Sequence, residues 1–507
     1  MQICKAETER SNEKKVVEYL QTKGFFEDEN ESIQRERVLG MLSNLVNKFI
    51  MDIAKRNEIP IDSKSLSKIF TFGSYRLGVH SSGADIDTLC VVPNFVSRNE
   101  FFTVFYDELC SKSYITEISK VTNTFVPLIK FKIKSIPIDL VFARMDLPSI
   151  PPNIDLLNNK LLKHMSEKCI LSLNGNRVTD EILAQVPNIE TFHKTLRFMK
   201  YWAQKRQVYG HAYGYMGGVA YALCVAKVCQ MYPSADAFKT IEKFFEVFSK
   251  WAWPQPVIIK EVPDCNYNLK VWNPKVNVHH KNDKMPVITP VYPPLCSTHN
   301  ITTSTLFVMK REFQRGTAIF AESLQNKTEP FKVLDELCED TDFFTRHKTY
   351  FMIAMACDNS KEFGRFMGFA ETRVRMFAQK LESIENIEYA YTLPKNYHLE
   401  GVTQKEVPLL KDLQCGDEEY SFSVLFIGIN FSSVKLPLNA SKKMNLKKPV
   451  QELKSSLEGY EQEEECELRY EAIPLKQKAL APILNLFIEK ESRKRKFDEE
   501  AAENRKK

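Results

Sequence analysis

Three aspartates set against apolar strands constrain this chain more than any other feature. The segment FGSYRLGVHSSGADID runs from Phe72 to Asp87, after a short apolar stretch, Ile69–Phe72, and into another, Asp87–Val92, that ends at Pro93. Residues i and i+2 of a strand project to one face, so Asp85 and Asp87 stand side by side as the chain enters it. Carboxylates that close repel, and one resists ionising unless a cation lies between them. A third acid, Asp139, interrupts the otherwise apolar run Ile136–Phe142. An aspartate in a buried strand is costly unless it is paired or holds a metal. Ahead of these acids, Gly73-Ser74 lets the backbone approach a phosphate closely and adds a hydroxyl, with the N–H groups of a following helix start behind it. Three acids from two strands and a Gly-Ser turn together describe a two-metal phosphoryl-transfer site, whose hard oxygen donors suit Mg2+ or Mn2+. Taken singly, each element has a plainer reading: a turn, a solvated loop end, an edge-strand residue facing water.

The rest of the chain gives these strands an α+β setting. Val38, Leu42, Leu45, Val46 and Ile50 recur at helical spacing before the first strand, and Val126–Phe131 and Ile136–Phe142 read as two strands joined by a short turn. Helical periodicity dominates from about Thr179 to Lys250, and residues 253–294 are proline-rich extended connections. A helix around Leu306–Phe320 follows. Then Tyr350–Ala356 reads as a strand, Lys361–Ser383 as a helix and Tyr420–Asn430 as a strand, a second α+β unit. At 507 residues the chain is long enough for about three domains at roughly 100–200 residues each. The final stretch, ESRKRKFDEEAAENRKK, lacks the apolar residues a core needs and reads as a disordered basic tail.

Several classes are disfavoured. No Gly-x-x-x-x-Gly-Lys-Ser/Thr loop, His-Glu-x-x-His or Gly-x-Ser-x-Gly occurs. The twelve cysteines form no Cys-x-x-Cys pair, so neither a zinc site nor a disulfide framework is expected and the chain reads as reduced and intracellular. The uncharged run Gln207–Ala226 contains His211, four glycines and four tyrosines, which suits a loop feeding a buried helix better than a membrane span. A net charge of +5 permits a polyanionic partner without naming one.

The string FTFGSYRLGVHSSGADIDTLCVVP closely resembles the active-site signature of the eukaryotic nuclear poly(A) polymerases, in the DNA polymerase β-like nucleotidyltransferase superfamily. The resemblance continues through FVPLIKFKIKSIPIDLVFARM, LSLNGNRVTDEIL, YGYMGGVAYALCVAKVCQMYP, FFEVFSKWAWPQPVII and MPVITPVYPP. It is strong over residues 15–320 and thins beyond. It implies an α+β multidomain enzyme: a nucleotidyltransferase domain with N-terminal helices (1–178), a helical central domain (179–340), an RNA-binding-motif-like domain (341–485) and the basic tail (486–507). Asp85, Asp87 and Asp139 match the metal ligands and catalytic acids. Phe72, Gly73 and Ser74 match the triphosphate turn, Ser81 a hydroxyl in the same loop, and Ile86, between the two acids, is counted with them among the ATP-binding residues. Lys200 matches a phosphate-binding lysine, Tyr209 a tyrosine beside the nucleotide, and Gly218 and Val219 a backbone contact to ATP. The implied reaction adds AMP from ATP to the 3′ end of mRNA precursors without a template and releases pyrophosphate. Implied partners are ATP, an RNA 3′ end and cleavage and polyadenylation factors, with no membrane; the chain is read as a monomer. Arg493, Lys494, Arg495 and Lys496 read as a nuclear import signal, and lysines in SKKMNLKK (441–448) as RNA contacts.

Two departures stand out. The family usually has Thr-Lys where this chain has Ser81-Ser82, and an asparagine where His211 stands. The second keeps open a nucleotidyltransferase of different base choice, adding uridylyl or CCA. A non-catalytic RNA-binding scaffold is the remaining alternative, against which all three acids stand.

Overall fold

The computed structural model describes residues 2–60, 66–122, 124–432 and 446–490, with side chains from residue 12 onward. The tail residues 493–496 and most of the 441–448 lysine run lie outside the described residues; of that run only 446–448 are described. The chain folds into two compact units. The first comprises Met1–Trp202, Gly218–His299 and Gln314–Leu337; the second comprises Ala203–Gly217, Asn300–Phe313 and Cys338–Lys507.

In the first unit, helices α1 (Gln2–Thr22) and α2 (Glu29–Arg56) precede the sheet. The Asp28 side chain caps α2 by accepting from the Glu31 N–H, and the helix buries Val38, Leu42, Leu45, Val46 and Ile50, the three- and four-residue stripe of the sequence, together with Phe49. The strands are β1 (Lys68–Thr71), β2 (Ile86–Val92), β3 (Ile115–Val121), β4 (Leu128–Ile133) and β5 (Ile136–Arg144), in the order β1-β2-β5-β4-β3. Only β2 and β5 run parallel. Sequence reading misses β3 because it is an edge strand whose Thr116, Glu117 and Lys120 face solvent. One helical turn, α3 (Gly73–Arg76), links β1 towards β2.

Helices α4 (Glu167–Gln185) and α5 (Ile189–Lys205) follow, then α6 (Gly218–Met231) and α7 (Ala237–Lys250). Helix α4 starts well before Thr179, where helical periodicity first becomes readable. Its buried face carries Ser172, Asn174, Asn176, Arg177 and Thr179, so no apolar stripe announces it. The uncharged run ends as anticipated, in α6, whose residues Ala220–Ala226 are fully buried. Among the described residues no helix is long and apolar enough to cross a membrane.

The second unit is built on strands β6 (Thr349–Cys357), β7 (Ile387–Thr392), β8 (Tyr397–Val402), β9 (Tyr420–Phe431) and β10 (Leu468–Lys476). They pair antiparallel in the order β10-β6-β9-β7, with β8 also on β9. Helix α8 (Ser360–Glu382) packs on this sheet and against α9 (Lys447–Glu458). Strand β9 is buried along nearly its whole length and was legible for that reason. Strands β8 and β10 are partly exposed, and their polar content hides them in the sequence.

Candidate active site

Strands β2 and β5 are neighbours in parallel register, with Asp87 paired to Asp139. Asp85 precedes β2 by one residue, so it faces the same way as Asp87 while Ile86 turns into the core, fully buried. The three aspartates each offer a carboxylate oxygen, all within 4.8 Å of one another. The acids singled out in the sequence therefore converge.

Their electrostatics are unbalanced. Burial, then the charges of Asp85 and Asp139, push Asp87 up to about 7, against the opposing pull of Lys130 and Lys200. Lys200, on α5, is held below the ordinary lysine range by burial, with Asp85 drawing it back up. Three hard oxygen donors that share too few positive partners fit Mg2+ or Mn2+.

The Gly73 turn lies directly against this cluster. Gly73 has φ +62°, and a β-carbon there would meet Asp87 Oδ2 at 2.1 Å; only glycine fits. The Gly73 N–H donates to Thr179 Oγ1 of α4 at 3.3 Å. The Phe72 N–H donates to the Asp87 carbonyl at 3.0 Å, and the Phe72 ring lies on the backbone of Gly175, where a β-carbon would come within 2.8 Å of it. Ser74, half-buried, is the second residue of the α3 turn. Helix α6, which begins at Gly218, packs against α3, and Val219 is exposed on it. Tyr209 belongs to the second unit, where it forms an isolated bridge with Met216. His211, exposed, lies there too, its carbonyl accepting from Asn300 Nδ2 at 2.7 Å.

Two supporting groups escape sequence reading. Lys130 of β4 pairs with Asp139 in register, and its Nζ lies 2.6 Å from Asp139 Oδ2. The hairpin turns at Lys134-Ser135, both with positive φ, so residues equidistant from it must meet. That signal was present but muted, because neither turn residue is the glycine or asparagine such turns favour. The second group holds the loop that carries Ser81. Glu31 accepts from the Gly83 N–H (2.7 Å) and the Ser82 hydroxyl (2.8 Å), and the Gly83 N–H above all holds its carboxyl below the usual range. Fully buried Arg35 grips Glu31 (3.2 Å) and Glu27 (2.9 Å), and Glu27 also meets His80 Nε2 at 2.8 Å. Ser82 thus ties the loop to α2.

The chain matches the model of the poly(A) polymerase nucleotidyltransferase domain over residues 5–186, of the poly(A) polymerase central domain over 191–336 and of the poly(A) polymerase predicted RNA binding domain over 342–496. It is 44% identical over 388 residues to poly(A) polymerase PAPa of Candida albicans, spanning 75% of this chain and 69% of that protein. The chain belongs to the poly(A) polymerase family. A second Candida albicans protein, poly(A) polymerase PAPalpha, is 42% identical over 386 residues, spanning 75% of this chain and 68% of that one. A crystal structure of the Cid1 poly(U) polymerase with MgGTP aligns at a TM-score of 0.44 and 13% identity, over 62% of this chain and 94% of that chain; so distant a likeness adds no weight. This poly(A) polymerase is an α+β enzyme with the family's three domains in order, and the aspartate trio lies within its nucleotidyltransferase domain.

Proposed function

We propose that the enzyme transfers AMP from ATP to the 3′ end of mRNA precursors without a template, by in-line attack of the primer hydroxyl on the α-phosphate with release of pyrophosphate. The observation that carries this reading is the convergence of Asp85, Asp87 and Asp139 against the Gly73 turn. When bound, two Mg2+ or Mn2+ ions held by these carboxylates supply the positive charge that activates the hydroxyl and neutralises the departing pyrophosphate. Gly73 and Ser74 cradle the triphosphate through backbone and hydroxyl, and Ser81 adds a second hydroxyl. Phe72 and Ile86 join the ATP-binding set, Phe72 from the triphosphate turn and Ile86 from between the two acids. Lys200 contributes a point charge to the phosphates, a role suited to an ammonium. Gly218 and Val219 contact ATP through their backbone, and Tyr209 stands beside the nucleotide. Positioning and charge carry the rate; no covalent intermediate is needed.

The proposal extends to a division at 1–178, 179–340, 341–485 and 486–507, a monomeric chain, a nuclear location through Arg493–Lys496, and association with cleavage and polyadenylation factors. Extension of an RNA primer with each nucleoside triphosphate in turn, with Mg2+ or Mn2+, tests the reaction. ATP is expected to be incorporated and Asp85→Ala to abolish it. Preferred incorporation of UTP or CTP, or none by folded protein, overturns the reading. Replacing residues 493–496 by alanine is expected to exclude a fluorescent fusion from the nucleus.

A further inference from the structure

We infer that the second unit holds a separate site for a soft divalent cation, of the zinc class, formed by Cys357, Asp358 and Cys466. Nothing in the cysteine spacing announces it, since Cys466 lies far along the chain from Cys357. The fold brings them together: β10 pairs with β6 so that Leu468 stands opposite Cys357, which delivers Cys466, two residues earlier, to the end of β6. The two sulfurs and an Asp358 carboxylate oxygen lie within 4.8 Å of one another. A tetrahedral zinc with Zn–S near 2.3 Å holds its sulfurs about 3.8 Å apart, inside that spread.

The donors are also oriented from behind, as ligands in built metal sites are. The Asn359 N–H donates to Cys357 Sγ at 3.4 Å. The Glu467 N–H donates to Asp358 Oδ1 at 2.8 Å. Two thiolates, a carboxylate and a divalent cation leave a net charge of −1, and the site lies at the start of α8, whose N-cap is Asn359; the positive helix end favours that charge. Cys357 is buried, Cys466 half-buried and Asp358 exposed, so a cation can enter from solvent and keep a water as fourth ligand. The thiols distinguish this site from the all-oxygen cluster on β2 and β5, which suits harder ions. Bound there, the cation would pin edge strand β10 to β6.

The full-length chain, reduced and stripped by a chelator, is titrated with Co2+ in the presence of saturating Mg2+. The expected result is one Co2+ per chain with the near-ultraviolet absorption of sulfur-to-cobalt charge transfer, displaced by Zn2+. Half-buried Cys466 can be changed without disturbing the core, so Cys466→Ser is expected to fold and lose the band, while Asp85→Ala keeps it. Zn2+ is expected to raise the thermal midpoint of the unaltered chain and not of Cys466→Ser. Absence of the band, its survival in Cys466→Ser, its loss in Asp85→Ala, or a Cys357–Cys466 disulfide in place of bound metal would each overturn the inference.

Discussion

The catalytic sheet sets Asp87 directly opposite Asp139 on parallel strands, whereas in the second unit the buried carboxylate of Glu312 meets Arg206 in a two-point ion pair, at 2.8 and 3.0 Å. Arg206 Nη1 donates to the carbonyls of Glu339 and Asp340, at 2.7 and 2.9 Å. One unit gathers like charges at the end of its sheet, partly shielded from water and balanced only in part by Lys130; the other buries opposite charges that satisfy each other. The difference separates a site kept for chemistry from a contact kept for the fold. Like charges facing each other across a sheet destabilise it, and they persist only where something outside the protein resolves the conflict.

Neutralising one carboxylate in each unit should therefore have opposite consequences. The largest effect is expected for Asp87→Asn: primer extension falls on the order of 10³-fold, while the metal-free protein gains about 1 kcal/mol in denaturant unfolding from relief of the repulsion. A loss of stability instead would erase the distinction between the units. Next is Glu312→Gln, which strands the Arg206 charge and should cost about 3–4 kcal/mol in the same measurement. If that variant unfolds at the same denaturant concentration as the unaltered chain, the pair is ornamental.

The smallest effect concerns His347, whose two ring nitrogens are buried without hydrogen-bond partners among the rings of Phe343, Tyr350, Tyr389 and Tyr391. Burial, then the nearby Arg346 charge, lowers it from 6.5 to about 4. Between those values the unfolded chain binds a proton that the folded one refuses. Its contribution is thus fully present above pH 6.5 and is lost as pH falls towards 4, by up to roughly 3 kcal/mol. Urea unfolding at pH 7 and pH 5 should reveal the slope, and His347→Phe should flatten it. An unchanged slope in that variant would place the acid sensitivity elsewhere.

Much of the catalytic sheet was legible because alternation and apolar runs are written locally: β2, β5 and the stripe of α2 follow from residues a few positions apart. Edge strands β3, β8 and β10 were not, since solvent on one side permits the polar residues that blur the pattern. Helix α4 was hidden for another reason, its buried face being largely polar. The anchors of the Ser81 loop, Glu27 just ahead of α2 and Glu31 and Arg35 on it, look in sequence like ordinary surface charges; that they meet one another and the Gly83 N–H depends on packing.

By itself, then, the amino-acid order determined which acids stand at apolar strands, which glycine turn precedes them, and to which family the chain is related. Only the tertiary structure decided that Asp87 and Asp139 share a register, that Lys130 reaches Asp139, and that Cys357 meets Cys466. Periodicity depends on near neighbours along the chain. Strand pairing depends on how the whole core closes, and no short stretch of residues carries that.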